Sequence, residues 1–154
     1  MSLALASPAP DFTLPTDGAA SVTLSALRGR PVVLYFYPKD DTSGCTKQAC
    51  AFRDQFPDFQ GAGATIIGIS KDPPASHDRF KGKHSLPFVL ASDEDTSVAA
   101  SYGVWVEKSM YGRTYMGMER ATVLIDADGV VRRIWRKVKV AGHATEVLEA
   151  VRGL

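Results

Sequence analysis

The sequence predicts an α/β fold, and three observations carry that prediction. Short apolar runs at residues 32–37 and 64–70 lie between proline- or glycine-bearing turns. Between them the apolar period changes to steps of three and four, at Ala49, Phe52, Phe56 and Phe59, which is one face of a helix. Late in the chain Asp128-Gly129 separates two further strand-like runs, a strong hairpin signal.

Each element follows from a local pattern. Residues 8–11 begin an extended entry, and Phe12-Thr13-Leu14 and Val22-Thr23-Leu24 flank a turn at Asp17-Gly18, which predicts a small hairpin. The run at 32–37, bounded by Pro31 and Pro38, is too short for a helix and fits a buried central strand. A helix is expected from Cys45 to about Gln60, with its last turn kinked at Pro57. A second buried strand covers 64–70. Asp72-Pro73-Pro74 signals a polar helix running to about Lys83. Phe88-Val89-Leu90 reads as a short strand, and Asp95 as the cap of a brief helix that ends near Tyr102 before Gly103. Residues 104–118 show no clean period and are expected to be irregular. The runs at 121–126 and 130–135 form the late hairpin, although the second does not alternate cleanly. Gly142 and His143 open a last helix with Val147, Leu148 and Val151 turned inward. Strand, helix, strand, then a hairpin and a helix is the order of a thioredoxin-like fold. Here it carries an N-terminal β-hairpin extension and an insertion around residues 86–118.

The bulk numbers bound the function. A chain of 154 residues fits one domain spanning 1–154. Lys plus Arg number 18 against 17 acids, a net charge of +1, which argues against nucleic-acid or membrane-surface partners, because those need clustered cations. The richest basic stretch, from Arg132 to Lys139, is broken by Ile134, Trp135 and Val138 and reads as a solvated strand. The first ten residues lack the charged start of a secretory leader, and no run approaches the ~20 apolar residues of a membrane span. A cytoplasmic location is expected. Two cysteines five apart in that reducing compartment read as redox or metal chemistry before a structural staple.

Cys45 carries the chemistry. The segment from Tyr35 to Cys45 passes from a buried strand, through Pro38, Thr42 and Gly44, into the first turn of a helix. A sulfur there meets unpaired N–H groups and the positive end of the helix dipole, and both favour the nucleophilic thiolate. Thr42 can offer its hydroxyl near the sulfur, Pro38 can limit access of water, and Gly44 lets backbone approach a small ligand. A lone cysteine on an apolar face is ordinarily an inert core residue, and this setting argues against that for Cys45. For Cys50 by itself, structural and functional roles both stay open. On an intact helix it stands about 140° around and about 7.5 Å along the axis from Cys45, beyond disulfide geometry. If the two bond, the first turns must unwind. Metal ligation by the cysteines with His77, His84 or His143 is disfavoured, because the spacing is not a usual zinc pair and no histidine lies near in sequence.

These residues resemble the peroxiredoxins, and within them the Q-type group also called bacterioferritin comigratory proteins. The resemblance runs through nearly the whole chain. It includes Ala9-Pro10-Asp11-Phe12, Leu24-Ser25-Ala26-Leu27-Arg28-Gly29, Tyr37-Pro38, Asp41-Thr42-Ser43-Gly44-Cys45-Thr46, Ala49-Cys50-Ala51-Phe52-Arg53-Asp54, Gly68-Ile69-Ser70 and Glu119-Arg120-Ala121-Thr122. It implies that Cys45 is the peroxidatic cysteine and Cys50 the resolving one. Thr42 would hydrogen-bond the thiolate and the bound peroxide, Pro38 would shield the pocket, and Arg120 would face Cys45 across the site. The implied activity is reduction of hydrogen peroxide and organic hydroperoxides through a Cys45 sulfenic acid and a Cys45–Cys50 disulfide. Thioredoxin, or a similar dithiol protein, would recycle it, in a monomer without cofactor or metal. Lys47 and Gln48 stand where relatives often carry other polar residues, Glu among them. With no cysteine elsewhere, a resolving partner in a later helix is excluded. Two competing functions are a disulfide-based redox sensor or holdase with little turnover, and a non-catalytic thioredoxin-like module.

Overall fold

The computed structural model describes residues 3–154; Met1 and Ser2, where the stretch read for a leader begins, lie outside them. The apolar run after Pro31 becomes strand β3 (Val32–Phe36), and every residue of it is buried because both faces of the strand are covered. Val32, Leu34 and Phe36 enter one core, and Val33 and Tyr35 enter the other, as the two-residue side-chain period requires. β3 runs parallel to β4 (Thr65–Ser70), which runs parallel to β5 (Val89–Ser92). On its other side β3 pairs antiparallel with β8 (Ala121–Ile125), the first strand of the late hairpin with β9 (Val131–Trp135). The predicted N-terminal hairpin is β1 (Thr13–Thr16) with β2 (Ala20–Thr23), and β1 joins the sheet against β5. The seven-stranded order is β2-β1-β5-β4-β3-β8-β9, a thioredoxin-like sheet widened at one edge by the extension.

The helix predicted from Cys45 to Gln60 is two helices, α1 (Ser43–Asp54) and α2 (Phe56–Gly61). Gln55 between them is non-helical (φ −102°, ψ 6°), and Pro57 in the first turn of α2 has no N–H to return to the carbonyl of Arg53. The kink is therefore a break. The apolar stripe survives it: Cys45, Ala49, Phe52 and Phe59 are buried, with Phe56 packed against them. α3 (Pro74–His84) starts at the double proline as expected. The short α4 (Ser97–Ser101) receives the Asp95 carboxylate on the Ser97 N–H. The buried Asp93 accepts from Val98 and Ala99 and caps the same helix a second time. α5 (His143–Arg152) buries Val147, Leu148 and Val151.

Two expectations are corrected here. Residues 104–118 are not irregular but form an antiparallel arm of β6 (Trp105–Met110) and β7 (Arg113–Met118). Its turn, Tyr111-Gly112, has φ of 52° and 77°, the pair of positive angles that a tight two-residue hairpin needs. The arm was invisible to periodicity because Met110, Tyr111, Tyr115 and Met116 are exposed, so apolar residues do not mark an inward face. The short strand expected at 88–90 runs one to two residues further on, as β5. The uneven alternation of the late hairpin has a cause too, a register shift at Leu124/Ile125, which is a bulge. Among the described residues no helix is long and apolar enough to cross a membrane.

Candidate active site around Cys45

Two strand ends create the site. β3 pairs with β8 so that Phe36 lies opposite Ala121. The loop leaving β3 toward α1 therefore passes beside the residue that enters β8, which is Arg120. Val138 N–H donates to Arg120 O (2.9 Å) and fixes that backbone. α1 then begins at the loop's end. Thr42 O accepts from Thr46 N–H (2.8 Å), so Ser43, Gly44 and Cys45 form its first turn and their N–H groups have no partner within the helix.

Cys45 is buried and Cys50 half-buried, and both are free thiols within α1. Their separation is that of five residues on a helix, about 7.5 Å along the axis and about 140° around it. Arg120 Nη2 donates to Cys45 Sγ at 3.3 Å, and Arg120 Nη1 donates to Gln48 Oε1 at 2.6 Å. The guanidinium fork thus spans two residues three apart on one helical face. Glu119, the acid next in sequence, is engaged elsewhere: Arg136 donates to both its oxygens (2.5 and 3.2 Å). Among the described residues the hydrogen bonds of the Arg120 side chain go to the sulfur and an amide, with no carboxylate among them. Its positive charge is directed at Cys45.

The remaining sequence-predicted residues lie in the loop. Pro38 is half-buried at the end of β3, and Thr42 is exposed at the start of α1. The Thr42 hydroxyl donates its one hydrogen to Lys39 O (2.8 Å) and not, as the resemblance implies, to the Cys45 sulfur, where Arg120 is the donor; its oxygen is left as an acceptor. Gly44 has a role the sequence did not disclose. A β-carbon there would lie 3.1 Å from Arg120 Nη2, so the backbone approach that glycine permits is made by the guanidinium. Gln48 was also missed as a functional residue, although its 1% exposure and contact with Arg120 make it part of the site. The signal was a polar side chain three residues after Cys45, on the core-facing stripe.

Beneath α1 lies an aromatic floor. Tyr35 stacks on Tyr37 and Phe52 (centroids 5.4 and 4.9 Å) and meets Phe88 edge-on. Burial, and then the charges of Asp40 and Cys45, push the Tyr35 phenol well above its ordinary pKa, so it stays protonated. The histidines are dispersed: His77 bonds Asp40, His84 faces Asp41, and His143 bonds Thr122.

Residues 5–134 match the AhpC/TSA family. The chain is 51% identical over 148 residues to a putative peroxiredoxin bcp of Coxiella burnetii, covering 96% of this chain and 98% of that one. It is 44% identical to peroxiredoxin Bcp of Bacillus subtilis, over all of this chain and 98% of the other. Among solved structures it superposes on the bacterioferritin comigratory protein of Xanthomonas campestris, a protein described for alkyl peroxide reduction. The TM-score is 0.89 at 44% identity, covering 92% and 90% of the two chains. A cysteine-to-serine mutant of Xylella fastidiosa PrxQ gives a TM-score of 0.94 at 35% identity, over 99% and 98%.

Proposed function

The chain belongs to the AhpC/TSA family and is a peroxiredoxin of the Bcp or Q type; from that premise we propose that Cys45 reduces peroxides and that Cys50 resolves it. The observation that carries the proposal is the Arg120 guanidinium, 3.3 Å from a buried sulfur in the first turn of α1. Attack of the Cys45 thiolate on the nearer peroxide oxygen breaks the O–O bond. It leaves Cys45 as a sulfenic acid, and the departing oxygen takes a proton to become water or an alcohol. Negative charge moves from sulfur to that oxygen. Arg120 and the free N–H groups of the first turn face the whole path, where fixed donors stabilise a transition state most. The Thr42 oxygen, with its own proton spent on Lys39, accepts the peroxide O–H and orients it, while Pro38 limits water.

The Cys50 thiol then displaces hydroxide from the sulfenic sulfur, giving a disulfide and water. The first turns of α1 unwind to allow it, since the helix holds the pair too far apart. Thiol–disulfide exchange with a dithiol protein such as thioredoxin restores both thiols. Both cysteines belong to one helix, so the cycle is complete in a monomer, and it suits a reducing compartment such as the cytoplasm. The substrate class includes hydrogen peroxide and, by likeness to the Xanthomonas protein, alkyl hydroperoxides.

The test is peroxide-dependent turnover with thioredoxin and its reductase, together with non-reducing mass analysis after one equivalent of peroxide. Cys45→Ser is expected to abolish both signals. Cys50→Ser should consume one peroxide per chain and then stop; sustained turnover in it would remove the resolving role.

A further inference from the structure

The loop that delivers Cys45 to its place is held from behind by a buried polar cluster that the chemistry above does not use. Asp40 is 7% exposed and His77 fully buried. His77 Nδ1 lies 2.7 Å from Asp40 Oδ2, and its Nε2 lies 3.0 Å from Ala91 O in β5. A carbonyl only accepts, so Nε2 carries a hydrogen and Nδ1 is the atom turned to the carboxylate. Ser76 Oγ donates to the same oxygen (2.8 Å), and Tyr37 Oη donates to Asp40 Oδ1 (2.5 Å). The Asp40 N–H is also taken, by Asp72 Oδ2 at 2.8 Å. Both the backbone and side chain of Asp40 are thus fixed, from Tyr37 just past β3, from Asp72 and Ser76 around the start of α3 and, through His77, from β5.

A buried pair of this kind adds little stability over apolar residues of equal volume, but losing one partner is costly. What it fixes is the geometry of the next two residues. Asp41 adopts φ of 60°, a left-handed angle uncommon for residues with a side chain but one Asp tolerates better than most, and its carboxylate is held by Lys83. Thr42 follows, its hydroxyl turned onto the carbonyl of Lys39, the residue just before Asp40. The position of that carbonyl sets the direction of the Thr42 lone pairs. We propose that His77 and Asp40 are positioning residues for peroxide reduction: through the Lys39–Thr42 turn they aim the Thr42 oxygen at the bound peroxide, without touching substrate or sulfur.

The inference rests on Cys45 being the peroxide-reactive thiol, and its test separates the two claims. Peroxide attack needs both the thiolate and the Thr42 oxygen, whereas alkylation by iodoacetamide needs only the thiolate. Asp40→Asn and His77→Leu are expected to slow Cys45 oxidation by hydrogen peroxide on the order of 10- to 100-fold, the range for a mis-set reacting group. Alkylation should stay within about twofold of the parent, since the attacking thiolate itself is unchanged. His77→Asn, whose amide stands near the position of Nδ1, should recover part of the peroxide rate. Tyr37→Phe removes a single hydroxyl and should show the same split at smaller size if the stronger variants fail to fold. Peroxide and alkylation rates that fall together, or neither falling, would overturn the positioning role. A parent chain whose Cys45 is inert to peroxide would overturn the peroxidase proposal itself.

Discussion

A methyl group at position 44 would meet Arg120 Nη2 at 3.1 Å, closer than side chains usually pack, and the guanidinium has no slack to absorb it. One of its nitrogens is on the sulfur and another on Gln48. Gly44→Ala should therefore shift the fork off Cys45 and slow peroxide attack roughly tenfold, short of the ~10²-fold or more expected when Arg120→Ala removes the donor outright. Stopped-flow oxidation of Cys45 measures both, and equal rates in Gly44→Ala and parent would show that the fork can retreat without cost. Cys45 was legible from the sequence because it follows a strand and a Pro/Thr/Gly turn at the head of a helix's apolar stripe, whereas Arg120 was legible only through the family resemblance. The Gln48 bond, the fit of Gly44 under Arg120, and Asp40 with His77 were not. Each depends on which side chain fills a gap between elements distant in sequence; the stripe of α1 marks Gln48 as facing inward, but no local period names its partner.

The elements beneath the site depend on one close approach. Gly68 in β4 lies under the Tyr35 ring, where a β-carbon would fall 2.7 Å from Cζ and 2.8 Å from the hydroxyl oxygen. The ring has no room to tilt, being stacked between Tyr37 and Phe52. Gly68→Ala is expected to cost about 1–3 kcal/mol of stability, the usual range for overpacking a core, readable as a lower denaturation midpoint. An unchanged midpoint would mean the aromatic stack is looser than it looks. Elements with a buried face were readable in advance: β3, β4, the stripe of α1, and α5. The β6–β7 arm was not, because it has little inward face to betray it. The division of α1 from α2 was half-read, since Pro57 marks the site but not whether the chain bends or stops.

At the scale of the whole molecule, His143 joins parts from the middle and the end of the chain. Its Nε2 shares a 2.7 Å hydrogen bond with Thr122 Oγ1 in β8, and its ring meets Phe52 of α1 and Trp135 of β9 edge-on. Burial pushes its pKa down from 6.5 to about 4, with Glu146 opposing and Arg120 assisting. The folded form therefore keeps His143 neutral where the unfolded chain would protonate it. Its stabilising effect is complete above the ordinary histidine pKa and is lost as pH falls from about 6.5 toward 4. Urea midpoints measured from pH 7.5 to 4.5 should decline for the parent and decline less for His143→Gln; parallel curves would assign the loss to other groups. The break at Gln55 has its own consequence for the molecule. α2 begins a fresh ladder of hydrogen bonds behind a proline, so opening the turns that carry the two sulfurs has a natural stopping point. Phe59 is fully buried in the core, and α2 stands between those turns and β4. In the proposed cycle the enzyme would surrender a short length of helix at each turnover and keep an intact scaffold on which to rebuild it.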